Sequence, residues 1–390
     1  MSSPRSVLAG CVLVLTTASA AWAQAVATDL ESRIRTFETS LHPYGATDVF
    51  WTLEERMAHY GVAGVSIAVI ADGEIAWAKA YGLKQAGTTD AVDTETVFSV
   101  GSVSKVGAAA ITLRLVDEGR LDLDRDVNDY LTRWKVPPNE LTAAEPVTLR
   151  RIMSHTAGLT VHGFADYQPG EPLPDVVQIL EGSGPAKSPP VVVDLLPGSE
   201  FRYSGGGVTV EQLVIEEVTG MEFDEAARRY LFEPLRMTRS TYVNPLPASH
   251  GNIARAHGPD GAPRALPRGW EAMPEAAASG LWTTPSDYAR LVIALIESYQ
   301  GDGDTFLSYE LARDVMTEVS PSAFGLGPAL DGEGPTRRFF HTGANDSYRA
   351  YMRGFLHSAD GVVIFTNGER GPELIDEMRQ AVIDAEGWPG

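Results

Sequence analysis

Cysteine is nearly absent: Cys11 is the only one in 390 residues. A lone thiol excludes an intrachain disulfide framework and a cysteine-based zinc site. Lysine is scarce too, confined to positions 79, 84, 105, 135 and 187, with no basic run. Lys and Arg total 31 against 52 Asp and Glu, a formal net charge of −21. Phosphate binding needs clustered cations, so this balance argues against a nucleic-acid partner and against docking on anionic lipid. The histidines are scattered at 42, 59, 155, 162, 250, 257, 341 and 357. No two have the spacing of a helical zinc site, and there is no HExxH. Among 52 acids nothing singles out a carboxylate metal site. Gly205-Gly206-Gly207 lacks the third glycine of a dinucleotide loop. The nucleophile elbow GxSxG is missing, because Arg202 stands where its first glycine belongs. No cofactor and no metal is therefore expected.

What is present is an ordinary globular composition, 44% hydrophobic and 21% charged. It excludes disorder and allows a substantial core in one large domain or two interleaved lobes. Arg5 is the only charge before Asp29, residues 7–20 are apolar, and Ala21-Trp22-Ala23 follows. This pattern predicts a secretory signal over residues 1–23, cut before Gln24. The apolar stretch is short for a membrane span of about 20 residues. Leu8-Ala9-Gly10-Cys11 looks like a lipidation site, but most of the apolar stretch follows the cysteine instead of preceding it. The expected product is one domain over residues 24–390, exported to periplasm or medium, with no stable membrane insertion.

Along the chain, Val65–Ile70 and Glu74–Lys79 read as strands joined at Asp72-Gly73, a hairpin signal. A helix is predicted from Ser102 to Glu118, with Val106, Ala109, Ala110, Leu113 and Val116 on one face and Gly119 as its stop. Residues 164–200 are rich in Pro and Gly but carry apolar pairs, as expected of an excursion packed on the body. A helix is predicted over 209–219, with Thr209 and Gln212 as a capping box and Gly220 as the stop. Another starts at Thr284-Pro285. Residues 347–356 and 361–367 read as strands, and a last helix runs from Pro372 to Glu386. This order predicts an α+β fold: an antiparallel sheet built from both ends of the chain, with a helical insertion between.

Of the five lysines, Lys105 alone has a serine three positions earlier, Ser102. Spacing i, i+3 puts both side chains on one helix face. A helix N-terminus offers free N–H groups to a developing oxyanion. Burial would lower the lysine's pKa toward a useful base. An N-cap serine beside a solvated lysine explains the same pattern as well, so the pair alone decides nothing. Phe201-Arg202-Tyr203-Ser204-Gly205 places a tyrosine on a Gly-rich turn, where a neighbouring ammonium would lower the phenol's pKa. Phe339-Phe340-His341-Thr342-Gly343-Ala344 reads as a strand whose glycine permits close backbone approach. Its N–H groups could complete an oxyanion hole, with His341 and Thr342 facing substrate.

Together and in this order, these segments resemble the penicillin-recognising serine hydrolases. That superfamily includes class C beta-lactamases, DD-peptidases, D-aminopeptidases and beta-lactamase-like esterases. The likeness rests on Ser102-Val103-Ser104-Lys105, Tyr203-Ser204-Gly205 and His341-Thr342-Gly343. Further support comes from Ser154-His155-Thr156-Ala157-Gly158-Leu159, Gly280-Leu281-Trp282-Thr283-Thr284-Pro285 and Phe365-Thr366-Asn367-Gly368. It spans about residues 45–386. The resemblance implies an antiparallel sheet flanked by helices plus an all-helical subdomain, roughly residues 120–280. It implies Ser102 as the acylated nucleophile, with Lys105 and Tyr203 sharing proton transfer. The N–H groups of Ser102 and Ala344 would bind the oxyanion, and His341, Thr342, Gly343 and Gly205 would line the substrate site. His155 is expected to be structural.

Two departures bear on substrate. Beta-lactamases and DD-peptidases typically carry Asn two residues after the tyrosine, and here that position is Gly205. Beta-lactamases usually carry Lys before Thr-Gly, and here it is His341, mostly neutral at pH 7. The expectation is thus an exported serine hydrolase for a small ester, amide or peptide, ahead of a beta-lactamase or DD-carboxypeptidase. The alternative of another class is a non-catalytic ligand sensor on the same fold.

Overall fold

The hairpin expected at Asp72-Gly73 forms: β1 (Gly64–Ala71) and β2 (Glu74–Gly82) run antiparallel around it. Both turn residues take positive φ, 53° and 78°, the turn conformation whose twist matches two paired strands. The structure is a computed structural model that describes residues 28–43, 48–301, 303 and 305–388. The expected signal, residues 1–23, lies outside the described residues. The chain divides into two units, residues 57–375 and residues 1–56 with 376–390. In the second, residues 28–39 are helical, and Arg56 makes a buried ion pair with Glu377 at 2.6 Å.

The larger unit holds the rest. After β3 (Phe98–Ser99) the chain makes a single 3₁₀ turn, Gly101–Val103, and enters α1 (Ser104–Asp117). Ser102 therefore sits in the tight turn that opens the helix. Gly119, at φ 69°, stops it as expected. The helix is buried nearly all round, including Ser104, Lys105 and Thr112, instead of on one face. Val116, expected in the buried stripe, is only partly covered.

The next helix corrects the sequence reading. α2 runs Gly205–Thr219 and starts four residues before the expected Thr209 box. Its cap is Ser204, whose Oγ accepts from Gly207 N–H at 2.8 Å and donates to the Thr160 carbonyl at 2.7 Å. Three glycines are poor helix formers, yet here they are required. A Cβ on Gly206 would lie 2.7 Å from the Thr160 carbonyl oxygen. Close backbone packing overrides propensity. Thr209 instead bonds back to the Gly205 carbonyl, and Gln212 reaches the Ala277 N–H.

The excursion over 164–200 packs as expected, with Ile179, Leu180, Val191 and Val193 buried. Then come α3 (Ala276–Ser279), β4 (Trp282–Thr283) paired with β3, and α4 (Pro285–Gln300). Thr284 caps α4 through the Asp287 N–H, with Pro285 in its first turn. Strands β5 (Ala329–Asp331), β6 (Arg338–Asn345), β7 (Tyr348–Phe355) and β8 (Gly361–Thr366) follow, and the expected last helix runs Gly371–Glu386. The six-stranded sheet has order β2-β1-β8-β7-β6-β5, antiparallel throughout. β1 beside β8 joins the two ends of the chain, as the sequence predicts. α4 lies across β1, β7 and β8, with Tyr288 on Phe365 at 6.2 Å between ring centroids. No helix among the described residues is long and apolar enough to cross a membrane.

Candidate active site

The site begins where two glycines let backbone meet backbone. Gly101, at φ 52°, leads into Ser102, and a Cβ there would lie 2.5 Å from the Ala344 nitrogen. A Cβ on Gly343 would lie 1.9 Å from the Val100 carbonyl oxygen. The edge of β6 therefore lies directly against the turn that carries Ser102. Asn345, at the end of β6, fastens this contact by donating to Ser99 Oγ at 2.7 Å and to the Ser279 carbonyl at 3.0 Å.

In the first turn of α1, three residues after Ser102, Lys105 Nζ lies 3.0 Å from Ser102 Oγ and 2.6 Å from the Ala278 carbonyl. Both partners are neutral, and the side chain is buried. Desolvation disfavours its charged form and brings its pKa down to about 7. An amine poised there is a competent proton acceptor near neutral pH.

Tyr203 reaches the same serine. Its ring centroid is 5.1 Å from Lys105 Nζ, and its phenol hydrogen-bonds the Ser102 side chain. The direction of its shift is a correction. Burial raises the phenol to about 12, and the Ser102 hydrogen bond offsets only part of this. The lowering expected from a neighbouring ammonium does not prevail, because Tyr203 is desolvated and Lys105 is itself held near neutrality. Near neutral pH the phenol keeps its proton, which suits a donor or relay.

His341 is buried, and its Nδ1 donates to the Thr342 carbonyl at 2.6 Å. Desolvation, then Lys105, lowers its pKa to about 4, so the ring is neutral at pH 7. Its Nε2 is buried and has no hydrogen-bond partner among the described residues. Strand alternation separates the residues expected to face substrate together. His341 and Gly343 are buried, whereas Thr342 and Ala344 are exposed.

Gly205 opens α2 against an aromatic wall. A Cβ there would meet Phe164 Cε2 at 3.0 Å and the His162 carbonyl at 3.2 Å. The space that an asparagine would need is thus taken up by Phe164.

Several participants lie outside the three catalytic motif segments. His155, at φ 58°, stacks 4.2 Å from Tyr203, and its Nδ1 accepts from Ser204 N–H at 3.2 Å. Burial and then Lys105 hold it well below its usual pKa, hence neutral. It packs against the Tyr203 ring. His162 lies 5.0 Å from Tyr203, and Phe324 lies 6.2 Å from Tyr203 and 6.1 Å from His341. Phe201 stacks on Phe324 at 5.6 Å. Only Phe201 is adjacent to a motif, so residue spacing offers no route to the other two.

The Beta-lactamase family model matches residues 52–386. The chain belongs to that family, and the fold and the order of its motif segments agree. It is 29% identical to penicillin-binding protein 4 of Amycolatopsis lactamdurans, over 80% of this chain and 82% of that protein. It is 29% identical to an unguisins hydrolase of Aspergillus campestris, over 49% of this chain and 35% of that one. The D-amino acid amidase of Ochrobactrum anthropi SV3, solved with L-phenylalanine amide, shares the fold at TM-score 0.68 and 20% identity, over 86% of this chain and 98% of the other. The chain is thus a beta-lactamase-fold protein whose relatives are serine hydrolases.

Proposed function

We propose that this protein hydrolyses a small ester or amide through an acyl-Ser102 intermediate. The observation that carries the proposal is the 3.0 Å contact between Ser102 Oγ and a buried Lys105 whose pKa lies near 7. Neutral Lys105 takes the Ser102 proton as Oγ attacks the carbonyl carbon. The N–H groups of Ser102 and Ala344 bind the resulting oxyanion. As the tetrahedral intermediate collapses, the proton passes to the departing alkoxide or amine, with Tyr203 as relay. Water then attacks the acyl-serine with the same groups acting in reverse, releasing the acid and restoring Ser102. Removal of one such oxyanion donor typically costs about 10²–10³ in kcat.

The acyl site favours a substrate without a carboxylate. Gly205 supplies no amide, and His341, neutral at pH 7, supplies no fixed cation. The amidase relative makes a neutral amide a natural probe. The penicillin-binding relative favours a second reading, a beta-lactamase or DD-carboxypeptidase, which needs another way to hold the substrate's carboxylate. We also propose export, with residues 1–23 removed and residues 24–390 acting as one catalytic domain.

The test is intact-protein mass after exposure to a fluorophosphonate, a penicillin and p-nitrophenyl esters, for wild type and Ser102→Ala. A fluorophosphonate adduct and ester turnover, both lost in a folded Ser102→Ala, are expected. No adduct with any probe would favour the ligand sensor, and turnover persisting in Ser102→Ala would remove Ser102 from the mechanism.

A further inference from the structure

Three carboxylates far apart in sequence, Asp166, Glu271 and Asp346, each place an oxygen within 4.8 Å of the other two. Arg264 Nη1 lies 3.5 Å from Glu271 and 3.4 Å from Asp346. Arg349 also faces Asp166 and Asp346, and Arg268 faces Glu271, so the carboxylates are partly neutralised. An acidic cluster alone is no site, but a buried amide lines one cavity with two of its members. Asn345 is 7% exposed and lines the same small cavity as Asp166 and Glu271. Its amide nitrogen is committed to Ser99 and Ser279, and its Oδ1 is buried with no hydrogen-bond partner among the described residues. Glu271 Oε2 is likewise buried with no hydrogen-bond partner among the described residues.

The cavity holds about 10 Å³, enough for one water-sized occupant. The Asp346 N–H and the Ser347 hydroxyl each donate one hydrogen bond, to Asp166 and to Glu271, which leaves Asn345 Oδ1 and Glu271 Oε2 as acceptors still to be satisfied. A cation satisfies both of them. Carboxylate and amide oxygens are hard donors that suit calcium or magnesium. Oxygens on opposite sides of calcium lie about 4.6–5.2 Å apart, twice the ~2.3–2.6 Å bond. Around magnesium they lie about 4.0–4.2 Å apart. The three carboxylate oxygens lie within 4.8 Å of one another, inside the span that calcium bridges. Magnesium also keeps several waters, for which the cavity has no room.

We infer that Asp166, Glu271, Asp346 and the amide oxygen of Asn345 form a calcium site at the turn between β6 and β7. The ion would tie the end of β6, next to Ala344, to the segment that leads into α3, whose Ala278 carbonyl holds Lys105. This inference stands apart from the hydrolase reading, because binding is measured without turnover.

The experiment is calorimetric titration of chelator-treated full-length protein with calcium chloride and then magnesium chloride, alongside thermal unfolding. One calcium per chain is expected. The transition should rise by about 3–4 °C at a hundredfold excess over Kd. Asp346→Asn changes an exposed side chain, so the variant should fold and bind calcium at least tenfold more weakly. Glu271→Gln should lose binding altogether, but its buried position makes Asp346→Asn the decisive variant. Absence of heat and of any shift at about 10 mM calcium, above the range of weak extracellular sites, would overturn the inference. So would wild-type affinity in Asp346→Asn, and equal affinity for magnesium would overturn the choice of calcium.

Discussion

Lys105→Met should abolish turnover and yet stabilise the protein. Burial lowers the Lys105 pKa from 10.5 to about 7. That drop of about 3.5 units, at 1.36 kcal/mol each, corresponds to roughly 5 kcal/mol of destabilisation when the lysine is charged in the fold. Methionine fills similar volume without the charge. The substitution leaves the Ala278 carbonyl without its 2.6 Å partner, which costs about 1–3 kcal/mol. At about pH 6 the variant should therefore gain roughly 2–4 kcal/mol. The sign with pH is fixed. Between 7 and 10.5 the unfolded chain binds a proton at Lys105 that the folded chain has released, so wild-type stability rises with pH across that window. The advantage of the variant should shrink by about 3 kcal/mol between roughly pH 6 and pH 9.5. Denaturant unfolding of both proteins at several pH values measures the difference and cancels groups common to both. Wild-type kcat/KM on a neutral ester should rise about tenfold between roughly pH 6 and pH 8, as Lys105 loses its proton. A stability difference that stays flat with pH would refute the reasoning, because the cost would then not be the desolvated charge.

Gly101→Ala should lower kcat by about a hundredfold or more, since its Cβ would lie 2.5 Å from the Ala344 nitrogen and displace the proposed oxyanion donor. Steady-state kinetics with a thermal scan separates this from unfolding. A p-nitrophenyl acetate or butyrate should exceed a cephalosporin in kcat/KM by roughly a hundredfold after correction for intrinsic reactivity. A missing neutral hydrogen bond costs about 1 kcal/mol and one to a charged group about 1.5–3. Gly205→Asn alone should lose activity, because its Cβ would sit 3.0 Å from Phe164. Adding Phe164→Ala should restore it and, with His341→Lys, narrow the gap to the cephalosporin. Mass measurement of protein recovered from its native host should find an N-terminus at Gln24, with no lipid on Cys11.

Elements governed by local rules were legible in the sequence. Asp72-Gly73 can adopt positive φ cheaply, and Thr284 before Pro285 presets a helix start, so both formed as expected. The start of α2 was not legible. Local propensity argues against a helix opening on three glycines, and only the Thr160 carbonyl, distant in sequence, shows why a Cβ is excluded there. The three motif segments of the site were legible because each keeps its chemistry within a few residues. Phe164, Phe324 and His162 reach the site through the fold, and no spacing links them to Tyr203. The pKa of Tyr203 was illegible for another reason. Its direction depends on how strongly desolvation outweighs a neighbouring amine, and burial is a property of the packed state.

That same packing sets the electrostatic character of the cleft. Lys105, His155 and His341 are all buried, and for each the leading cause of the lowered pKa is desolvation. For both histidines the second cause is Lys105, so a charge on the lysine further disfavours charge on either ring. With Lys105 near 7 and His341 near 4, raising the pH past neutrality releases the lysine proton while both rings are already uncharged. The working cleft is then neutral, and Tyr203, at about 12, keeps its proton. An anionic substrate entering it would lose its hydration and find no fixed cation among these groups, a loss that a neutral ester or amide does not incur. A lysine at position 341 would stand beside Lys105, and the two amines could not both be charged without strong repulsion. A carboxylate-binding ammonium there would therefore push Lys105 still further toward its neutral form. The two properties are coupled, and a switch toward beta-lactams should shift the pH–rate profile to lower pH as well as change the substrate.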